Sequence, residues 1–341
     1  MCVASLPVKL DTQLFGLGEA QARAAVLAEL GLDGVFTFEG PHDVFTPLVL
    51  AAPGTSLDLY TNAAIALPRN PIQLAHQAWD LQALSEGRFA LGLASQIRTQ
   101  IEKRYGTDFH PPLGRMRELV AAMRAIFDSW QNGSRLDFRG DYYTHTLMTP
   151  FFDPGRNPYG NPKIFLAGVG ELMTEVAGEV CDGFICHAFT TERYLREVTV
   201  PALQRGLDAS GRTLADIEIS GPAFVVTGSD EESFEKSKAG TRQQIAFYGS
   251  TPAYRGVLDL HGWGDLQPEL NAMSKAGKWK EMGELIDDDM LDTFAVVAEP
   301  SGIAPAFTAR FGDVVDRLSF YAPYKNDPDT WLPVIEALQK A

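Results

Sequence analysis

An acidic residue and a histidine stand close together just after the second predicted strand of this 341-residue chain. Glu39 follows the apolar strand at 33–38, and His42 lies in the polar turn that comes next. A carboxylate buried at such a place has a raised pKa and can exchange protons, as can an imidazole. Glu39 and His42 are therefore the candidate catalytic residues. A helix-capping or loop acid explains Glu39 equally well on the sequence alone.

A glycine-bearing turn joins another predicted strand to a helix. Gly168 and Gly170 let the backbone approach a ligand closely, and the amides of the following first helical turn can hold phosphate oxygens. Thr174 adds a hydroxyl donor. The pattern predicts a phosphate site, with plain turn chemistry as the alternative.

Other chemistry has little support in the sequence. The six histidines form no HxH or HExxH pair, so no metal site is indicated. No GxSxG, Walker or GxGxxG motif is present, which argues against serine hydrolysis and against P-loop or Rossmann cofactor binding. His187 follows a predicted strand, and its side chain either faces the pocket or makes a hydrogen bond in the core.

Composition narrows the class of partner. The chain is 45% hydrophobic and 21% charged, as expected of a globular protein, and its net charge of −15 argues against nucleic acid and anionic membranes. Neither a secretion signal nor an apolar run of about 20 residues is visible, so we expect a cytoplasmic protein. Cys2, Cys181 and Cys186 form no disulfide framework, and the last two are expected in the core.

The elements that would position these residues alternate between strand and helix. Strands are predicted at 8–14, 33–38, 57–66, 88–93, 163–167, 182–186, 217–227 and 291–297, with a further candidate at 314–321. Helices are predicted at 19–30, 46–52, 72–84, 114–130, 171–178, 192–210, 233–247, 301–311 and 331–340. This rhythm predicts an α/β fold, and its eight units favour a TIM (β/α)8 barrel over a doubly wound open sheet.

We expect one domain over residues 1–341, with insertions at 132–161 and 254–285 on the barrel rim. Ligands bind at the carboxyl ends of barrel strands. The residues that follow the fourth strand, Gly92–Gln96, are therefore expected to form part of the active-site floor.

Several runs of residues go beyond this general pattern. Leu67-Pro68-Arg69-Asn70-Pro71, Leu74-Ala75, the run Leu84-Ser85-Glu86-Gly87-Arg88-Phe89 and Leu91-Gly92-Leu93 resemble the luciferase-like monooxygenase superfamily. The similarity continues through Ala167-Gly168, Ala177-Gly178, Asp182-Gly183 and the run 289–297. Within the superfamily, the chain most resembles oxidoreductases that use the deazaflavin coenzyme F420.

The resemblance implies a barrel with rim insertions and a cofactor at the carboxyl ends of the strands. Ring contacts are then expected from Asn62, Ala64, Ile65, Ser95 and Gln96, and His187 is placed with the cofactor site. The phosphate-bearing tail is expected against Gly168, Val169, Gly170, Leu172, Met173 and Thr174. Many F420-using members have a non-proline cis peptide after the third strand, which the spacing from Pro68 puts at Ala64–Ile65.

Some positions depart from the family pattern. Certain F420-dependent dehydrogenases carry Asp-His where this chain has Glu39-Gly40, and a Glu where it has Ser95. Bacterial luciferases place an Arg near Ser95 to hold the flavin phosphate, and its absence favours the deazaflavin over FMN.

The resulting hypothesis is an F420-dependent oxidoreductase that moves a hydride between the deazaflavin and a small organic substrate. An FMN-dependent monooxygenase using reduced flavin and O2 is the first alternative, and a cofactor-free binding or scaffold barrel is the second. The family also implies a homodimer.

Overall fold

The structure is a computed structural model that describes residues 8–109, 111–325 and 328–339. Cys2 lies outside these ranges. Cys181 and Cys186 are buried free thiols, which confirms their predicted place in the core.

Eight parallel strands form the centre of the fold. Each strand pairs with the next one along the chain, and the last pairs with the first, so the sheet closes on itself. The predicted TIM barrel is confirmed. The strands are β1 (Lys9–Gln13), β2 (Gly34–Thr37), β3 (Asp58–Thr61), β4 (Phe89–Ala94), β5 (Lys163–Gly168), β6 (Gly183–Cys186), β7 (Glu218–Val226) and β8 (Arg317–Tyr321).

Helices surround the barrel and fill the longer connections. The helices up to residue 194 are α1 (Ala20–Glu29), α2 (Thr46–Ala51), α3 (Pro71–Leu84), α4 (Arg98–Lys103), α5 (Pro112–Asn132), α6 (Glu171–Val180) and α7 (Glu192–Tyr194). A π-helical segment at Leu195–Thr199 joins α7 to α8 (Val200–Ala209). The others are α9 (Glu231–Gly249), α10 (Arg255–Leu260), α11 (Leu266–Lys275), α12 (Trp279–Gly283), α13 (Asp288–Phe294), α14 (Pro300–Phe311) and α15 (Pro328–Gln339).

The predicted eighth strand at 291–297 is wrong. Most of that run is α13, which begins where the Asp287 side chain accepts a hydrogen bond from the Met290 amide at 2.8 Å. Only Ala295–Val297 is extended, and it pairs with the carboxyl end of β7 alone. The barrel is closed instead by β8, the strand that the sequence offered only as a further candidate.

The structure shows what the two predicted insertions contain. The connection between α5 and β5 contains one small hairpin, Phe138–Arg139 with Thr144–His145, and is otherwise irregular. The connection after α9 carries α10, α11 and α12. These helices cover a second buried apolar cluster that includes Phe189, Phe224, Ile245, Leu270 and Phe294.

A buried ionic cluster closes the amino end of the barrel. The Arg317 side chain, 4% exposed, donates to both carboxylate oxygens of Asp11, at 2.6 and 2.8 Å. It also donates to Asp58 at 2.8 Å and to Glu218 at 2.9 Å, and the Tyr60 hydroxyl donates to Asp11 at 2.8 Å. Polar residues of four strands thus satisfy one another inside the barrel, and its opposite end is left for ligands.

Candidate active site

The carboxyl ends of the eight strands meet at one end of the barrel, the mouth. Because the strands are parallel, the predicted residues after β2, β3, β4, β5 and β6 all come to this end. They form three groups, which lie after β2 to β4, after β5, and over β6 to β8.

Glu39 lies after β2 and is held by four donors. Arg69 donates to its two carboxylate oxygens at 2.8 and 2.9 Å, the Tyr105 hydroxyl donates at 3.0 Å, and the Ile65 amide donates at 3.0 Å. Arg69 also donates to the Ile65 carbonyl at 2.6 Å, so the ion pair holds both sides of that residue's backbone. Burial and the nearby Glu39 charge raise the pKa of Tyr105, which keeps the phenol protonated. This geometry makes Glu39 a hydrogen-bond acceptor that positions the segment after β3.

His42 lies in the same loop, and its side chain is exposed at the rim. The neighbouring Asp43 accepts hydrogen bonds from the Phe45 and Thr46 amides, at 3.0 and 2.8 Å, and fixes the start of α2. The structure therefore gives the imidazole of His42 access to solvent and to the mouth. Its catalytic role stays a prediction.

The segment after β3 carries a non-proline cis peptide, as expected, but at Asn62–Ala63. The prediction of Ala64–Ile65 is wrong by two residues. Ala64 and Ile65 are buried, at 0% and 4% exposure, and pair with the end of β4. Their side chains face the core, whereas Asn62 and Ala63 are half-exposed at the mouth.

The end of β4 lies directly against this segment. A Cβ on Gly92 would stand 1.8 Å from the Thr61 carbonyl oxygen, so only glycine fits at this contact. Ser95 is half-exposed, and Gln96 has a positive φ of 60°, with its side chain accepting from the Ile97 amide at 3.0 Å. Non-glycine residues in this conformation carry a conformational cost and cluster at functional sites. The predicted pair Ser95–Gln96 is thus open to the mouth.

The glycine turn after β5 has the geometry of an anion site. Gly170 precedes α6, and the first intrahelical bond runs from the Thr174 amide to the Gly170 carbonyl at 3.2 Å. The amides of Glu171, Leu172 and Met173 therefore have no acceptor within the helix. Space is open where a Cβ of Gly170 would stand, and Gly168 and Val169 are half-exposed.

Thr174 does not point toward this space. Its side chain is buried, and its hydroxyl donates to the Gly170 carbonyl at 3.1 Å. The backbone amides, and not this hydroxyl, are the donors that the turn offers to a phosphate.

His187 follows β6 and contacts two tyrosines that the sequence did not single out. Its ring centroid lies 4.6 Å from that of Tyr248 and 4.8 Å from that of Tyr254. Its Nδ1 accepts from the Phe189 amide at 3.0 Å, and burial lowers its pKa to about 4, so the imidazole is neutral at neutral pH. The Tyr248 hydroxyl lies 3.0 Å from that of Tyr321, the last residue of β8.

Exposed apolar side chains border the mouth on the other side. Phe15 and Phe38 follow β1 and β2, are 48% and 40% exposed, and pack edge to face with centroids 6.1 Å apart. Ile97 and Leu172 follow β4 and β5 and are also exposed. Exposed apolar surface with a few convergent polar groups is typical of small-molecule sites.

Comparison with known proteins identifies the family. The sequence model of the luciferase-like monooxygenase family matches residues 1–317, so the chain belongs to this family. An uncharacterized protein of Mycobacterium tuberculosis is 52% identical over 313 residues, covering 91% of this chain and 92% of its own. An F420-dependent glucose-6-phosphate dehydrogenase of Mycolicibacterium gilvum is 28% identical over 235 residues, covering 64% and 67%.

A solved structure shares the fold. The coenzyme F420-dependent tetrahydromethanopterin reductase of Methanopyrus kandleri superposes with a TM-score of 0.78 at 18% identity, covering 97% of this chain and 98% of its own. Within the described ranges, no helix is both long enough and apolar enough to cross a membrane.

Proposed function

We propose that the protein is a coenzyme F420-dependent oxidoreductase that transfers a hydride between the deazaflavin and a small organic substrate. Relatives with 28% identity bear names that specify F420 as the coenzyme. The observation that carries the proposal is the glycine turn of Gly168–Gly170, whose open space and free amides fit a phosphate group at the barrel mouth. A single domain and a homodimeric assembly belong to the same proposal.

The residues present fit a deazaflavin. The half-exposed Asn62, Ala63 and Ser95 offer a flat edge of small side chains for a ring, and the first turn of α6 adds the positive end of a helix dipole for the phosphate. Ser95 and Gln96, the two residues directly after β4, are uncharged. When bound, the deazaflavin supplies or accepts a hydride at C5.

The protein supplies orientation and a proton path. The Glu39–Arg69 pair fixes the backbone at Ile65 beneath the ring site. His42 is exposed, and its imidazole is the predicted proton donor, which exchanges a proton with solvent as the hydride moves. The protein thereby holds the reacting groups, and the redox chemistry belongs to the cofactor.

Titration of the purified protein with F420 and with FMN tests the proposal. Submicromolar binding of F420 with weak binding of FMN is the expected result, followed through cofactor fluorescence. The reverse order supports a luciferase-like monooxygenase that uses FMN, and binding of neither supports a scaffold protein.

A matched pair of variants locates the site. Leu172→Glu places a carboxylate beside the free amides of α6 and is expected to weaken F420 binding about tenfold, equal to about 1.4 kcal/mol. Leu214→Glu makes the same change on an exposed leucine before β7, at the amino end of the barrel, and is expected to leave the affinity unchanged. Equal effects of the two variants would contradict the phosphate site.

A further inference from the structure

Four polar aromatic side chains line the mouth over β6, β7 and β8. His187, Tyr248, Tyr254 and Tyr321 are all partly buried. His187 follows β6, Tyr248 lies in α9, Tyr254 lies in the turn before α10, and Tyr321 ends β8. We call these four residues the aromatic wall. The residues are far apart in the chain, so the closed barrel and the second insertion together create the wall.

Strand alternation shows that Tyr321 faces the interior of the mouth. Residues of a strand point alternately to opposite faces. Arg317 points into the barrel, where it meets Asp11, whereas the ring of Phe320 packs outside against Phe307 and Trp331 of the surrounding helices. Tyr321 is four residues after Arg317, so its side chain points to the same face of the strand. It is the inward-facing residue of β8 that lies nearest the mouth.

The wall adjoins the proposed cofactor site. Gly168 and Cys186 are register partners across β5 and β6, which puts His187 beside Val169. Gly168, Val169 and His187 also line one cavity of about 10 Å³, the space of a single water molecule. A ligand on the wall and a ring on the small residues after β3 and β4 would therefore share the mouth.

The hydroxyl pair of Tyr248 and Tyr321 leaves one donor open. Tyr248 and Tyr321 share a hydrogen bond of 3.0 Å between their hydroxyls, and a side-chain hydrogen bond with Gln244 also engages Tyr248. Two hydroxyls contain two hydrogens, and the contact between them uses one. The Tyr321 hydroxyl is the open end of this chain and can donate to a ligand.

Within the described part of the chain, no ionised side chain shifts the pKa of any of the four wall residues. Burial lowers the pKa of His187 to about 4 and raises that of Tyr254 to about 12, the latter with a smaller contribution from Tyr248. Burial also raises the pKa of Tyr248 and of Tyr321. All four groups are neutral at neutral pH, and an anion placed against them would lose hydration without gaining a counter-charge.

We infer that the aromatic wall is the substrate subsite and that it selects an uncharged, planar, conjugated ketone or imine over an anionic analogue. The acceptor atom of this ketone or imine takes a hydrogen bond from Tyr321. Flat conjugated molecules gain contact with the aromatic rings, and the open hydroxyl of Tyr321 orients the acceptor atom. The inference rests on the proposed function, because it assigns a substrate class to that oxidoreductase.

Matched probes test this selectivity by binding alone. We would measure, by calorimetry, the affinity of 4-phenylbut-3-en-2-one, of its para-carboxylate and of its uncharged para-carboxamide, with and without F420. The ketone and the carboxamide are each expected to bind at least about tenfold more tightly than the carboxylate. Equal or tighter binding of the carboxylate would overturn the inference.

Hydroxyl deletions test the role of Tyr321. Tyr321→Phe keeps the ring and is expected to weaken ketone binding about fivefold to tenfold, as the loss of one neutral hydrogen bond predicts. Tyr142→Phe removes the hydroxyl of an exposed tyrosine in the first insertion and is expected to leave the affinity unchanged. Circular dichroism checks that both variants fold. Unchanged ketone binding by folded Tyr321→Phe would refute the donor assignment.

The cofactor titration keeps the two proposals distinguishable. F420 binding without discrimination among the probes would overturn the substrate class and leave the proposed function standing. Failure of F420 to bind would overturn the proposed function, and the probe comparison on the cofactor-free protein would still decide whether the wall prefers neutral ketones.

Discussion

Replacing Arg317 with methionine tests how the closed end of the barrel is stabilised. One guanidinium, 4% exposed, contacts three carboxylates, and Asp11 is fully buried. Lys9 and Lys163 add counter-charges to Asp58 and Glu218 but are 48% and 60% exposed. The six charges balance only when the arginine is present, because Asp11 pairs with no other cation among the described residues.

The magnitude follows from this burial. Removing one partner of a buried pair leaves an uncompensated charge and costs about 3–5 kcal/mol, a large share of a typical unfolding free energy of about 5–15 kcal/mol. Lys9→Met is the matched control, since breaking an exposed pair costs about 0–1 kcal/mol. Adding Asp11→Asn to Arg317→Met is expected to restore part of the loss, because the unpaired buried charge is then absent.

Urea unfolding followed by circular dichroism measures these differences. If Arg317→Met does not fold, Arg317→Lys retains the charge without the bidentate contact and gives a smaller loss in the same direction. An Arg317→Met midpoint equal to that of Lys9→Met would refute the reasoning, as would a double variant less stable than Arg317→Met.

Three further predictions concern the mouth. Glu39→Gln is expected to cost about 1–3 kcal/mol in urea unfolding, because it leaves a guanidinium without its counter-charge, and an unchanged midpoint would count against the positioning role. Gly92→Ala is expected to destabilise strongly in the same assay because its Cβ would meet a backbone carbonyl, whereas Gly170→Ala, with open space, should leave the free energy of unfolding within about 0.5 kcal/mol of the parent's while weakening F420 binding. The depressed pKa of His187 means that the unfolded chain takes up its proton first, so stability is lost as pH falls from about 6.5 to about 4, by up to about 3 kcal/mol. His187→Asn should remove that loss and His42→Asn should not; equal acid sensitivity of both variants would contradict the assignment.

The barrel was predictable because its signals are local. The apolar runs of β2, β4 and β5 are short and bounded by glycine or polar turns, and their parallel pairing follows from the alternation with helices. The closing strand was harder to recognise. β8 carries the polar residues Arg317 and Ser319 on its inward face, whereas 291–297 is more apolar and yet starts as a capped helix.

The site was predictable only where one turn contains it. The glycine turn at Gly168–Gly170 and the loop containing Glu39 could be found from the sequence, but the partner of Glu39, Arg69, lies 30 residues away. The aromatic wall gave no local signal, because Tyr248 and Tyr321 meet only after the barrel closes. The cis bond was misplaced because spacing alone could not show that Ala64 and Ile65 are buried against β4.

The sealed amino end has a kinetic consequence. Since Arg317 and its carboxylates close one end, any molecule that reaches the interior must arrive and depart through the mouth. Of two ligands bound there, the one nearer the barrel interior enters first and leaves last. We therefore expect steady-state turnover to follow a compulsory order of binding and release.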